Sequence, residues 1–326
     1  MAKRLSDKEN LWRALTRSDP QRVPVRRMNG TIPGMARLFY HASRGLLHGT
    51  DRWGVQWAGG LPAGREWEPE VMGYAIHHPL ADISRLDDYA APDPREPGIM
   101  DGLLDGIDRD SVMIMGELPL VLWERAYLLV GMETLFMAMA TDPDVVRPLF
   151  GQIVDYQIGI IRRYAELGVD AIRSTDDYGT QTSLLMSPGL WRTLIKPELR
   201  RIFAAAKDAG LMVFHHSCGH IEALVPDLIE IGVDVLDPVQ ASANDQLKLK
   251  RSYGDRLSFL GGVSSQQALS RGTEQEVEAE VRRCIQTLGP GGGYILGPDN
   301  FVPIAEANYR AYLAAGERYG LYPLQV

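Results

Sequence analysis

Leu211-Met212-Val213-Phe214-His215-His216-Ser217-Cys218-Gly219-His220 joins a short apolar run to a cluster of imidazoles and a thiol. The run has the length of a buried strand, and the polar cluster begins where it stops. The same arrangement recurs along the chain. Val112-Met113-Ile114-Met115 leads to Gly116-Glu117, and Ala171-Ile172-Arg173-Ser174-Thr175 leads to Asp176-Asp177. Val233-Asp234-Val235-Leu236 leads to Asp237-Pro238, and Leu257-Ser258-Phe259-Leu260 to Gly261-Gly262. Tyr294-Ile295-Leu296 leads to Gly297-Pro298-Asp299-Asn300. Such runs, spaced by helix-length segments, predict repeated βα units on a parallel sheet.

The intervening segments read as helices. Residues 197–209 place Leu199, Ile202, Phe203 and Ala206 on one face, with Gly210 as the stop. Residues 221–231 carry Leu224, Leu228 and Ile231 at helical spacing. Residues 273–288 open on Thr273-Glu274-Gln275-Glu276, a capping box, and put Cys284 on the apolar face as a core residue. Residues 120–167 read as two or three helices broken at Asp142-Pro143. Residues 6–17 and 32–47 are predicted helical, with Val23-Pro24-Val25 as a first strand between them. Residues 53–57 and 74–78 read as two arms of a hairpin, and 80–89 as a short helix. Counting the Val23 run and the Trp53 arm with the later runs gives about eight strands. The predicted fold is therefore α/β, a single (β/α)8 barrel over residues 1–326 with an N-terminal helical and hairpin elaboration. A dinucleotide fold has no support, because no G-x-G-x-x-G follows any strand.

Composition narrows the function. A net charge of −8 disfavours nucleic acid and anionic membrane as partners. The first residues lack an apolar signal core, no apolar run is long enough to span a bilayer, and there are only two cysteines. The expected location is the cytoplasm. The hairpin strands near residues 53–79 offer a surface on which a second copy would pair, so a homodimer is expected.

A barrel of this kind carries its chemistry at the C-terminal ends of the strands. His216 and Cys218, two apart on an extended segment, point to the same side and supply half of a zinc-preferring set. Asp176, Asp177 and Glu117 are the candidate acid/base groups. Asn29, Arg26, Tyr178, Asp237 and Gln240 are the candidate substrate contacts.

R-V-P-V-R-R-M-N-G, D-R-W-G-V-Q-W, S-T-D-D-Y-G-T-Q, H-S-C-G-H-I-E-A-L-V-P-D-L, I-G-V-D-V-L-D-P-V-Q, L-G-G-V-S-S-Q and G-P-G-G-G-Y-I-L-G-P-D-N stand in this order along the chain. In these stretches the chain resembles the uroporphyrinogen decarboxylase superfamily. The resemblance implies one of two chemistries: cofactor-free decarboxylation of a tetrapyrrole, or zinc-dependent methyl transfer involving a corrinoid. In the decarboxylase branch an arginine of the first strand grips substrate carboxylates. Asn29 takes that position here, with Arg26 and Arg27 earlier on opposite faces. In the methyltransferase branch the pattern is H-x-C and a later cysteine. His216 and Cys218 match the first two, and Asn300 replaces the third beside Asp299. The expected metal set is therefore His216, Cys218 and Asp299. Glu117, Asp176 or Asp237 would be a fourth ligand or a hydrogen-bond partner of the ligands. With one thiolate fewer, the metal is the stronger Lewis acid and suits an oxygen ligand. The resulting expectation is a zinc enzyme moving a methyl group between a small methylated substrate and a corrinoid or thiol acceptor, the corrinoid being carried by a separate protein. The alternatives are metal-free decarboxylation of a polycarboxylate and non-catalytic binding of a corrinoid or tetrapyrrole.

Overall fold

The computed structural model describes residues 4–41, 48–61, 64, 67 and 71–324. Helix α1 (Asp7–Thr16) opens the chain, capped by the Ser6 hydroxyl, which accepts from the Glu9 amide. It is followed by β1 (Met35–Leu38) and by β2 (Gly49–Thr50), β3 (Gln56–Ala58) and β4 (Tyr74–His77). Next come β5 (Met113–Leu118), the helices α2 (Trp123–Val130), α3 (Met132–Thr141) and α4 (Pro143–Glu166), and β6 (Ala171–Thr175). A short helix α5 (Pro188–Leu190) runs through a wide turn into α6 (Lys196–Asp208). The chain then alternates β7 (Met212–His216), α7 (Val225–Glu230), β8 (Val235–Asp237), α8 (Gln246–Tyr253), β9 (Ser258–Val263), α9 (Glu274–Leu288), β10 (Tyr294–Pro298) and α10 (Glu306–Tyr319).

The strands β1, β5, β6, β7, β8, β9 and β10 form one parallel sheet in that order. Residues 24–26 add an eighth segment: Val25 bridges Leu296 in parallel, and the Arg26 amide donates to the Leu296 carbonyl at 2.7 Å. This is the predicted (β/α)8 barrel, with three changes in how its strands are drawn from the sequence. Residues 35–38, expected within a helix over 32–47, are strand β1, paired Met35 to Met113 and Leu38 to Gly116. Four residues are too few for helical and strand periods to be told apart, and here alternation decides: Met35 faces the barrel interior while Leu38 joins the outer core. Residues 42–47 of that expected helix lie outside the described residues. The Trp53 arm, counted as a barrel strand, instead lies with β2, β3 and β4 in a separate antiparallel sheet. The first strand expected at Val23 is reduced to a single bridge, since Pro24 has no amide to donate.

Two apolar layers hold the barrel. Inside it pack Met35, Met113, Met115, Phe214, Val235, Leu260 and Ile295, with Leu11 and Leu15 of α1 beneath them. The Ala14 carbonyl accepts from Gly293 at 2.7 Å, and the Leu15 carbonyl from the Ser258 hydroxyl at 2.9 Å. Both donors stand at strand starts, so α1 plugs the N-terminal end and leaves the other end as the mouth. Outside the sheet, Tyr164 of α4 lies on Gly116, where a Cβ would come within 2.6 Å of its ring. Its hydroxyl donates to the Leu38 carbonyl at 2.9 Å, tying β1 to the outer layer.

Asp51 organises the approach to α2. Its carboxylate accepts from the amides of Trp53 and Val55, from Trp57 Nε1 and from Arg125 of α2, all within 2.8–3.1 Å. Both members of the Asp51–Arg125 pair are buried. No helix among the described residues is long and apolar enough to cross a membrane. Asp51→Ala strands the Arg125 charge and frees buried donors, so it should lower stability by about 3 kcal/mol or more. Urea denaturation measures this; a loss below about 1 kcal/mol would show that apolar packing alone docks the hairpin.

Candidate functional site

Above the inner apolar layer the inward side chains become charged. Arg26, Arg37 of β1, Glu117 of β5, Arg173 of β6, His216 of β7 and Asp237 of β8 are one connected set. Glu117 accepts from Arg37 Nε and, at 3.3 Å, from Arg173 Nη1. Asp237 accepts from Arg173 at 2.6 and 2.8 Å and from Arg26 at 3.0 Å. Burial pushes both carboxyls up, but the arginines outweigh it: Arg37 and Arg173 hold Glu117 below its ordinary range, and Arg26 and Arg173 hold Asp237 well below. Both are therefore ionised and fully engaged. His216 sits at the node, its Nδ1 3.0 Å from Arg173 Nη2 and 3.4 Å from Asp237 Oδ2.

The other edge of His216 meets two further groups. Cys218 Sγ is 3.3 Å from His216 Nε2, and Asp177 Oδ1 is 3.5 Å from the same nitrogen. Among the described residues these three form the cluster able to hold a metal ion, their donor atoms all within 4.8 Å of one another. Burial, then the carboxylates of Asp177, Asp237 and Glu124, push the Cys218 thiol well up, so it stays protonated until a cation arrives.

Loop geometry brings Asp177 to that place. Gly179 and Gly219 cross backbone to backbone: a Cβ on Gly219, already at φ +82°, would lie 2.4 Å from Gly179. Across the crossing, His220 N donates to the Thr180 carbonyl at 2.7 Å and Cys218 N to Asp177 Oδ1 at 2.8 Å. Gln240 clamps the far side, accepting from Gly219 N at 3.0 Å.

The remaining candidates have other work. Asp176 points away from Asp177 and caps α2, accepting from the amides of Trp123 and Glu124 at 2.8 and 2.6 Å and from the Tyr178 hydroxyl at 2.6 Å. Tyr178 is fully buried, stacked on His215. Asn29 is exposed and accepts from Thr31 in its own turn. Asp299, expected as the third metal ligand, accepts from the Ser265 amide at 2.9 Å and is not in the cluster. The carboxylate beside His216 and Cys218 is Asp177, because the β6 loop folds over the end of β7 while Asp299 turns toward the start of the helical turn after β9.

Three residues escaped the sequence reading. Arg37 was hidden by the helical assignment of its segment. Arg173 carried a legible signal, since a charge inside a five-residue apolar strand must find partners. Glu124, buried beside Asp176 and Asp177, stood inside an apolar helix for the same reason.

A family model described as uroporphyrinogen decarboxylase (URO-D) matches residues 68–306. The chain belongs to the uroporphyrinogen decarboxylase family. Within that family it is 27% identical over 177 residues to a methylcobamide:CoM methyltransferase MtaA of Methanosarcina barkeri, covering 52% of this chain and 49% of that protein. It is 29% identical over 148 residues to a uroporphyrinogen decarboxylase of Mycolicibacterium paratuberculosis, covering 42% and 40%. The chain thus spans about half the length, or less, of these curated relatives. A solved methyltransferase from Methanosarcina mazei shares the fold, with a TM-score of 0.71 over 97% of this chain and 99% of that one at 18% identity.

Burial pushes Asp176 up to about 7 and, with the neighbouring Asp177 and Asp176, pushes Glu124 well above its ordinary range. A carboxyl whose pKa is raised by folding stabilises the fold at low pH and loses that contribution as pH rises through the folded value. In chelator-treated protein, Glu124→Gln should therefore gain stability relative to wild type between about pH 4 and pH 8. Urea midpoints across that range read it out, and parallel curves for the two proteins would contradict the assignment.

Proposed function

We propose that this chain is a zinc-dependent methyltransferase of its family, moving a methyl group between a small methylated substrate and a corrinoid or thiol acceptor, with the corrinoid on a separate protein. The observation that carries the reading is the meeting of Asp177, His216 and Cys218 at the barrel mouth. The similarity to a methylcobamide:CoM methyltransferase supports the choice of chemistry. The donor set fits zinc. With metal–ligand lengths of about 2.0–2.3 Å, tetrahedral donors lie roughly 3.4–3.6 Å apart, close to the 3.3 and 3.5 Å separations here.

Zinc in this place supplies a positive charge that polarises the heteroatom bearing or receiving the methyl group. His216 would ligate through Nε2; Nδ1 would then carry the proton and donate to Asp237 Oδ2, now 3.4 Å away, and the 3.0 Å contact of Arg173 Nη2 to Nδ1 would be given up, leaving that nitrogen on Asp237. Arg173 and Arg26 hold the Asp237 carboxylate in position for that bond. Asp177 supplies a hard oxygen where the family pattern has a second thiolate, which favours an oxygen-bearing substrate. Asp176 is committed to capping α2, so proton handling falls to the neighbouring Glu124.

Purified protein prepared without chelator should contain about one zinc per chain, lost in both His216→Ala and Cys218→Ser and weakened in Asp177→Asn. Elemental analysis of the four proteins decides. No metal in wild type after zinc is offered would overturn the reading and favour metal-free decarboxylation, the chemistry of the other family branch.

A further inference from the structure

Past the end of β7 the chain keeps the hydrogen-bond habit of a strand although its neighbours have ended. In a parallel sheet the amides of a central strand turn alternately to one neighbour and to the other. Met212 N donates to the Asp170 carbonyl on the β6 side at 3.1 Å, and Ser217 N to the Asp237 carbonyl on the β8 side at 2.8 Å. The next four amides continue the alternation. Cys218 and His220 turn to the loop after β6, donating to Asp177 Oδ1 at 2.8 Å and to the Thr180 carbonyl at 2.7 Å. Gly219 and Ile221 turn to the loop after β8, donating to Gln240 Oε1 at 3.0 Å and to Asn244 Oδ1 at 3.1 Å. On that side two side-chain amides stand where a longer strand would offer carbonyls.

Both amides are themselves held. Gln240 and Asn244 are buried. Gln240 Nε2 donates to Gln181 Oε1 and to Ser242 Oγ, each at 3.1 Å. Asn244 Nδ2 donates to the Gly219 carbonyl at 2.9 Å, so one residue meets both the Ile221 amide and the Gly219 carbonyl. Each oxygen accepts and each nitrogen donates, so neither side chain can turn over without setting like groups against each other. The turn they grip is the one that carries Cys218, whose Sγ lies 3.3 Å from His216 Nε2. Gly219 beside it is buried. Without Gln240 its amide would be a buried donor with no partner, and the peptide joining it to Cys218 would be free to rotate.

We propose that Gln240, backed by Asn244, is a positioning residue of the metal cluster: it holds the Cys218 thiol beside His216 and Asp177 before any ion arrives. Neither amide side chain belongs to the cluster. Their effect runs through the backbone between Cys218 and Ile221. A loop already fixed in its bound shape does not have to be ordered when a ligand binds, and binding is tighter to that extent. The part of this inference that concerns zinc rests on the methyl-transfer reading; the placement of the thiol stands apart from it.

The test compares the whole chain with Gln240→Met, which keeps the bulk and removes the acceptor, and with Gln240→Glu, which keeps the acceptor. Asn308→Ala is the control, a buried amide whose bonds go to the Leu269 and Gly272 carbonyls instead. Two readings are taken: zinc affinity, by competition with a chromophoric chelator, and the rate at which chelator-treated protein reacts with an aromatic disulfide. Cys284 is fully buried, so the reacting thiol is Cys218. Gln240→Met should bind zinc at least roughly tenfold more weakly and react several times faster, while Gln240→Glu and Asn308→Ala stay near wild type. Thermal melting confirms that each variant is folded. A Gln240→Met protein that reacts no faster than wild type, or binds zinc as tightly, overturns the proposal, and so does an equal change in Asn308→Ala. A wild type that takes up no zinc overturns the methyl-transfer reading, and the thiol rates still decide this one.

Discussion

Glu117 and Asp237 are carboxylates buried inside a barrel, and each is tolerable there because two guanidiniums reach it. An unpaired charge at either position costs several kcal/mol, so the arrangement works only when Arg26, Arg37 and Arg173 all arrive together. They come from three different segments of the sheet, which makes the pairing a check on strand register as well as a set of bonds. Slipping β6 by one residue would turn Arg173 out of the barrel and leave both carboxylates short of a partner. His216 sits beside the central node of this belt. Its ring is therefore held by the same electrostatics that hold the strands in register.

Neighbouring residues at the strand ends divide their labour by the alternation of an extended chain. Asp176 faces the outer layer and caps α2, while Asp177 faces the mouth and meets Cys218. His215 faces the outer layer, and burial pushes its ring down to about 3, so it is a neutral core residue bonded to the Ser174 hydroxyl. His216 faces inward and joins the charged layer. Identical residue types thus serve packing and chemistry one position apart, and the backbone direction separates them.

Much of the fold was legible because it rests on local pattern. The apolar runs at 112–115, 171–175, 212–214, 233–236, 257–260 and 294–296 became strands because β-rich stretches of that length, bounded by polar ends, have few other uses. Thr273 and Glu276 announced the start of α9 through a capping box that the structure contains. Residues 35–38 failed to announce themselves. Four residues after Gly34 show no period, and what makes them a strand is the edge of β5 waiting beside them. Asp299 was expected near His216 because both follow strands that end at the same mouth. Proximity in a ring of loops depends on how each loop turns, and Asp299 turns toward Ser265.

The sequence by itself determined the architecture and the pair His216 and Cys218, since strand alternation puts two residues of one segment on the same side without help from the rest of the chain. Family membership was legible there too, being carried by motifs that are contiguous in sequence. Only the tertiary structure decided which carboxylate joins that pair, which arginines neutralise the buried carboxylates, and which acids cap helices rather than face the mouth. Those outcomes depend on contacts between segments far apart in sequence: Gly179 against Gly219, Arg37 against Glu117, and Asp176 against the start of α2. Each is settled by where two backbones cross, which no local pattern records.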